Sequence, residues 1–150
     1  MTTDVLHNPR TGETCRVLDI DAARLVLEIE LTPAAAGAPL HYHRVISETF
    51  TVLSGELSVE WDARNNWRTL APGDSIHVLP LQRHGFANRS GRPVTFRLEV
   101  APPQGFLRFL GTMYRNPGAL DAIRALSYGD VWLPGIPVGL QKTVHRVLGA

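Results

Sequence analysis

The chain has 150 residues, of which 44% are hydrophobic and 19% are charged, and its formal net charge is +1. This composition allows one domain with a real core and argues against disorder. The arginines are spread along the chain without a basic stripe, so we expect no nucleic-acid partner. Cys15 is the single cysteine, which excludes an internal disulfide and a cysteine-based zinc site.

We expect no secretion signal from the first residues of the chain. Residues 1–7 lack a basic segment followed by an apolar run, and no later apolar stretch is long enough to span a bilayer. A lone thiol also fits a reducing compartment. We therefore expect a cytoplasmic protein without a membrane partner.

Short runs that alternate apolar and polar residues dominate the chain up to about residue 101. Leu25, Leu27, Ile29 and Leu31, for example, share one face of a predicted strand. The residues Ser54-Gly55-Glu56 separate two such runs and predict a tight hairpin. Regularly spaced runs of this kind are typical of an all-β sandwich or barrel. The other strands are predicted over about 14–20, 49–53, 57–61, 75–79 and 94–100.

The last third of the chain changes to helical spacing after Pro102-Pro103. One helix is predicted near residues 106–113, where large apolar residues recur every three or four positions. Asn116 is placed to cap a second helix, which Gly129 ends. A final helix is predicted over about 138–148. Together these helices form an appendage of roughly 45 residues, which is too small for a second domain.

We therefore treat residues 1–150 as a single domain with two parts. The barrel covers about 13–101 and the helical tail about 104–149. The apolar stripes of the tail need a surface to cover. The tail can cap a pocket of the barrel or form a dimer interface, and the sequence leaves both open.

A pair of histidines in the middle of the chain is spaced for metal binding. His41 and His43 are two residues apart, so in a strand they share one face with Cα atoms about 6.6 Å apart. Two imidazoles at this separation can converge on one ion, each at about 2.1 Å. Such a pair is weak evidence by itself, because surface histidines also occur at this spacing.

Two further candidates open the strand-like runs that follow. Glu48 shares a face with the apolar residues Phe50 and Val52, which places a carboxylate at the edge of a core. A buried carboxylate without a partner is costly, and a metal ion is the simplest partner that keeps it charged. His84 likewise opens an inward row that includes Phe86. From spacing alone, a metal site and an ordinary set of hydrogen-bonded side chains both remain open.

The residues around these candidates resemble the two motifs of the cupin superfamily. The first is His41-Tyr42-His43-Arg44-Val45-Ile46-Ser47-Glu48, followed after six residues by Gly55. The second has Gly73, His84 and Asn88 at the matching spacing. The chain departs from the pattern where Ala35 replaces a glycine and where Leu79-Pro80-Leu81 replaces a Pro-x-Gly turn. Both departures concern turns, and no ligand position is lost.

The resemblance implies an all-β double-stranded β-helix, the jelly-roll barrel of cupins, with a short C-terminal helical appendage. It implies that His41, His43, Glu48 and His84 bind one divalent metal ion inside one end of the barrel. Asn88 matches the last motif position, where a structural role is expected. The candidate residues of a substrate pocket are Phe50, Val52, Phe86 and Asn88.

The expected function is that of a metal-dependent oxidoreductase, similar to the dioxygenase branch of cupins, with a small organic substrate. Nitrogen and oxygen ligands without a thiolate suit Fe, Mn, Ni, Co, Cu or Zn, and open metal positions allow chemistry on a substrate. Glu48 is the candidate catalytic residue, as a proton acceptor. Two alternatives stay open, namely a non-catalytic protein that binds or senses a small ligand, and a metal that only braces the barrel.

Two further expectations concern a partner and a histidine. Small cupin-like barrels commonly pair through their sheets, so we expect a homodimer formed through a strand edge near residues 14–20 or through the tail. His77 lies on the strand before His84 and is interpreted as an ordinary hydrogen-bonded histidine, although it could reach the interior.

Overall fold

The computed structural model describes residues 4–33 and 35–148, which form ten strands followed by three helices. The first five strands are β1 (Val5–His7), β2 (Thr14–Ile20), β3 (Leu25–Leu31), β4 (Ala38–His41) and β5 (Ser47–Ser54). The other five are β6 (Leu57–Trp61), β7 (Trp67–Leu70), β8 (Ser75–Val78), β9 (His84–Ala87) and β10 (Val94–Ala101). The helices are α1 (Phe106–Met113), α2 (Ala119–Tyr128) and α3 (Val138–Leu148). Residue 149, where the tail was expected to end, lies outside the described residues.

The strands form two antiparallel sheets. One has six strands in the order β1-β2-β3-β10-β5-β8, and the other has four in the order β4-β9-β6-β7. Neighbours such as β3 and β10 are far apart in sequence, so most of the pairing is long-range. Within the described ranges no strand of one sheet is hydrogen-bonded to a strand of the other, so the sheets do not close into the expected barrel. The all-β architecture with a helical appendage is confirmed.

The core lies between the sheets, where the period-two pattern directs the apolar side chains. On β3, Leu25 and Leu27 are fully buried, and their paired residues lie on the neighbouring strands β10 and β2. Phe50 on β5 stacks on Phe96 of β10 with ring centroids 5.8 Å apart. The four-stranded sheet contributes residues such as Val59, which is also fully buried. Burial of these rows removes them from water and fixes which face of each strand points inward.

The hairpin predicted around Gly55 is wrong. β5 and β6 flank this residue but belong to different sheets, so the chain crosses between the sheets here. Both strands bury apolar rows, and the turn between them carries the chain across the core. Gly55 has a φ of 76°, and a Cβ at this position would collide with the carbonyl oxygen of Pro93. The tight turn is therefore real, although the pairing inferred from it is not.

The three helices of the tail lie close to their predicted positions. The predicted cap of α2 is wrong, because Gly118 and not Asn116 precedes its first residue. Asn116 has a left-handed φ of 52°, and its side-chain amide donates to Oδ1 of Asn8 at 3.1 Å. Gly129 caps the other end of α2 as predicted. No helix among the described residues is long and apolar enough to cross a membrane.

Cys15 provides a test of the packing at β2. Its side chain is fully buried, and burial raises the pKa of the thiol to about 12. At pH 8 only about one thiol in 10,000 is then ionised, and the thiolate is the reactive form. We expect the native protein to react with a disulfide reagent at least about 100-fold more slowly than the protein unfolded in guanidinium.

The matched control is Arg64→Cys, which adds an exposed thiol. One thiol of this variant should react at once and the second only after unfolding. Rapid labelling of the native wild-type protein would contradict the burial of Cys15.

Candidate metal centre

The four candidate ligands come from both sheets and meet inside the protein. His41 ends β4, His84 begins β9, and these two residues face each other across the β4–β9 ladder. His43 follows two residues after His41. Glu48 lies on β5, in the opposite sheet. All four side chains are buried, with exposed fractions of 8% or less. The predicted cluster is therefore brought together by the packing of the two sheets.

The ligand atoms of this cluster lie within 4.8 Å of one another. The imidazole ring centroids are 4.4–5.4 Å apart. Two ligand atoms on opposite sides of a divalent ion, each at about 2.1 Å, are about 4.2 Å apart. The cluster thus has the size that one such ion requires. The four residues are His41, His43, Glu48 and His84.

Backbone carbonyls orient all three imidazoles. Each Nδ1 lies within hydrogen-bond distance of a carbonyl oxygen, at 2.7 Å for His41 and Pro39, 2.9 Å for His43 and Asp130, and 3.0 Å for His84 and Gln82. A carbonyl oxygen only accepts, so each Nδ1 carries the proton and donates it. In the neutral ring, Nε2 then presents a lone pair, which is the form that binds a metal.

Glu48 supplies a negative charge to this centre. Its Oε2 lies 2.6 Å from Nε2 of His84 and 3.4 Å from Nε2 of His43. Burial alone would raise the pKa of Glu48, but the nearby charge of His43 and the hydrogen bond and charge of His84 outweigh it and hold the pKa well below its usual range. Burial, together with the other two histidines, lowers the pKa of His41 to about 3. Glu48 is thus ionised and His41 is neutral at pH 7.

Nε2 of His43 is buried, and it has no hydrogen-bond partner among the described residues. Burial by itself lowers the pKa of His43, but Glu48 and Asp130 together raise it by more, so the ring favours a positive charge. A buried polar atom without a partner costs about 1–3 kcal/mol. A cation between Nε2 and the carboxylate would satisfy both, so the donor set fits a divalent metal ion.

Asp130 stabilises this site from the tail, a role that the sequence pattern does not predict. Its Oδ2 accepts from the backbone amides of residues 44, 45 and 46 at 2.7–3.1 Å. Its Oδ1 accepts from Nε1 of Trp132 at 2.8 Å, and its backbone oxygen accepts from His43. Tyr42 and Trp132 exchange two backbone hydrogen bonds beside it. One residue therefore fixes both a ligand and the turn that leads from His43 to Glu48.

The sequence carried little signal for this role. Gly129-Asp130 marks the end of a helix, but nothing local indicates a contact with residues more than 80 positions earlier. Asp130 has a φ of 53°, a conformation that aspartate tolerates better than most residues do. That strain would be visible only in the folded chain.

A mostly apolar cavity of about 280 Å³ adjoins the cluster, and His41 and Glu48 are part of its wall. The strands contribute Ile29, Leu31, Phe86 and Leu98 to the wall. The tail contributes Phe106, Phe109, Leu110, Met113, Tyr114 and Leu126. The tail therefore covers this cavity, which is one of the two roles expected for it.

The candidate pocket residues occupy different positions. Phe86 lies on the cavity wall. Phe50 and Val52 are buried in the core, where the Phe50 and Phe86 ring centroids are 5.6 Å apart. The side-chain amide of Asn88 donates to backbone carbonyls, including that of Thr32 at 3.0 Å, so Asn88 ties two loops together. His77 is exposed, and its Nδ1 lies 2.7 Å from Oγ1 of Thr49, as expected for an ordinary histidine.

Comparisons with solved structures show which folds the chain is similar to. KdgF from Halomonas sp. matches with a TM-score of 0.57 and 18% sequence identity, over 66% of this chain and 86% of that one. The polyketide cyclase RemF from Streptomyces resistomycificus matches with a TM-score of 0.56 and 23% identity, over 67% and 74%. A sugar phosphate isomerase from Silicibacter pomeroyi, described as a cupin, matches with a TM-score of 0.56 and 22% identity, over 67% and 71%. At these identities the likeness concerns the fold alone.

Sequence comparison gives the family directly. A search of the curated proteins found no match. The family model of the cupin domain matches residues 27–101, which is half of the chain and includes all four residues of the cluster. The chain therefore belongs to the cupin family.

Proposed function

We propose that this protein binds one divalent metal ion through His41, His43, Glu48 and His84 and is a metal-dependent enzyme for a small organic substrate. The observation that carries this proposal is that His41 and Glu48 belong both to the cluster and to the wall of the cavity. A molecule in the cavity would thus lie against the metal site. The proposed reaction class is an oxidation of the dioxygenase type.

The donor set supports a metal with redox or Lewis-acid chemistry. Three imidazoles and one carboxylate suit Fe, Mn, Ni, Co, Cu or Zn, and they leave up to two positions of an octahedral ion free. When bound, the metal would supply activation of a substrate oxygen or of O₂ at those positions. The carbonyls that accept from each Nδ1 keep the ligands oriented. The charge of Glu48 offsets part of the charge of the ion.

The protein groups around the cavity have three tasks. Apolar walls such as Phe86, Phe109 and Leu110 exclude water and shape the space for a substrate. The tail closes the cavity on one side. Glu48 is part of the cavity wall, and its carboxylate is the proposed acceptor of a proton from a bound substrate.

The comparisons support a small-molecule enzyme of this family without selecting the reaction. Two of the structures with this fold are described as a polyketide cyclase and a sugar phosphate isomerase, so the same fold serves other chemistry. The homodimer predicted from the sequence stays a prediction. The exposed apolar residues Leu140 and Val147 on α3 support an interface through the tail.

Replacing a ligand should remove the metal. We expect about one ion per chain in protein prepared with Fe, Mn, Ni or Zn, measured by elemental analysis. His43→Ala and His84→Ala should each weaken metal binding by about 100-fold or more, because a ligand is lost from a set of four. Circular dichroism should show that both variants remain folded.

The control is His77→Ala, which removes an exposed histidine outside the cluster. Its metal content should equal that of the wild type. If metal content is unchanged in both ligand variants, the ligand assignment is wrong.

Removing the Asp130 carboxylate should loosen the same site. Asp130→Gly keeps the left-handed backbone and the carbonyl that accepts from His43, but it removes the acceptor of four hydrogen bonds. Loss of such outer contacts lowers metal affinity by about 10–100-fold. Competition with a chelator measures this affinity. Asn65→Gly is the control, since Asn65 is exposed and also left-handed, with a φ of 65°. Equal affinity in both variants would disprove the role of Asp130.

Turnover separates the proposed enzyme from its alternatives. Oxygen uptake by the metal-loaded protein is followed with catechols, thiols and small β-diketones, and we expect uptake with at least one of them. Ligand binding without uptake would support a non-catalytic binding protein. A large fall in melting temperature on chelation, without any ligand binding, would support a bracing metal.

A further inference from the structure

The cavity wall contains a second buried carboxylate, which the proposed reaction does not use. Glu13 lies immediately before β2 and on the same inner face as Cys15, two residues later, which is fully buried. Its exposed fraction is only 9%, and it lines the cavity that also contains His41 and Glu48. It is not a member of the metal cluster. The strand register thus places an acidic side chain on the wall of a mostly apolar cavity.

The residues around Glu13 leave hydrogen-bond acceptor sites of its carboxylate open. Among the described residues, no ion pair includes Glu13. Burial raises the pKa of Glu13, while a hydrogen bond from the backbone of Gly37 opposes this shift. A carboxylate offers about four acceptor sites, so one such bond leaves most of them open. A buried carboxylate is costly unless further donors reach it.

The other polar residues on this wall are already engaged. Oδ1 of Asn8 accepts from the backbone amides of residues 10 and 11 and from the side chain of Asn116. Oγ1 of Thr11 accepts from the backbone amide of Glu13 at 3.2 Å. These groups stabilise the turn before β2. The open acceptor sites on this part of the wall therefore belong to Glu13.

The size of the cavity limits what can reach this carboxylate. A volume of about 280 Å³ corresponds to about nine water molecules at about 30 Å³ each. A single ring with short substituents, of about ten non-hydrogen atoms, is of this size. Most of the wall is apolar, so the middle of the molecule should be apolar as well.

We infer that the substrate of this enzyme is a ring-sized molecule with two polar groups, one that binds at the metal site and one hydroxyl or amino group that donates to Glu13. This inference rests on the proposed function for the first group. Glu13 is then the residue that selects substrates carrying a donor, because an apolar group in the same place would leave the buried carboxylate without its hydrogen bond.

Three matched probes test the selection. 4-Ethylcatechol, 4-(hydroxymethyl)catechol and 4-(aminomethyl)catechol each have ten non-hydrogen atoms and differ only in the terminal group. Calorimetry measures their binding to the metal-loaded protein and, in parallel, to the protein freed of metal by chelation. We expect the hydroxymethyl and aminomethyl probes to bind about tenfold more tightly than the ethyl probe in both preparations.

The variants assign this preference to one side chain. Glu13→Gln should reduce the preference for the aminomethyl probe to about twofold, because the charge is lost. Glu13→Leu should reverse the preference in favour of the ethyl probe. Glu60→Gln is the control, since Glu60 is equally buried, with 8% exposed, but is not part of the cavity wall. It should keep the wild-type preference.

The outcomes separate the inference from the proposed function. An unchanged preference in Glu13→Gln and Glu13→Leu overturns the inference, and so does the failure of all three probes to bind in both preparations. Equal affinities with and without metal, combined with a preference that depends on Glu13, would uphold the subsite and count against the metal-dependent function.

Discussion

Glu48 carries a negative charge in the interior of the protein, and three imidazoles surround it. Each imidazole donates its Nδ1 proton to a backbone carbonyl, so the nitrogen that faces the carboxylate presents a lone pair when the ring is neutral. Lone pairs and a carboxylate repel one another unless a proton or a cation lies between them. Nε2 of His43, which is buried without a hydrogen-bond partner among the described residues, is consistent with this requirement. The chemistry proposed for the protein follows from this electrostatic constraint.

The tail contributes residues to the candidate metal centre and to the cavity, as the two sheets do. Asp130 accepts from the turn between His43 and Glu48 and, through its backbone oxygen, from the His43 imidazole itself. Residues of α1 and α2 close the cavity beside the cluster. A change in the position of the tail would therefore alter the metal site and the substrate space together. The tail therefore packs against both the candidate metal centre and the cavity.

The cavity combines two polar positions with apolar walls. Walls of this kind favour any molecule of the right size, so they provide affinity but little selectivity. Selectivity comes from buried polar groups, because a ligand that fails to pair with them leaves them unsatisfied. Glu48 and the histidines provide one such position, and Glu13 provides another. The protein thus has the means to discriminate between molecules of similar size.

The parts of the structure that depend on local spacing could be predicted from the amino-acid sequence. The period-two runs predicted the strands. The spacing of His41, His43, Glu48 and His84 made them candidates, and the resemblance to the cupin motifs indicated that they form one ligand set. The tertiary structure decided the rest, since it depends on contacts between distant residues. The crossing at Gly55, the role of Asp130 and the cover provided by α1 all require knowing which elements pack together. Local patterns specify faces and turns, whereas partners across the core are selected only when the whole chain folds.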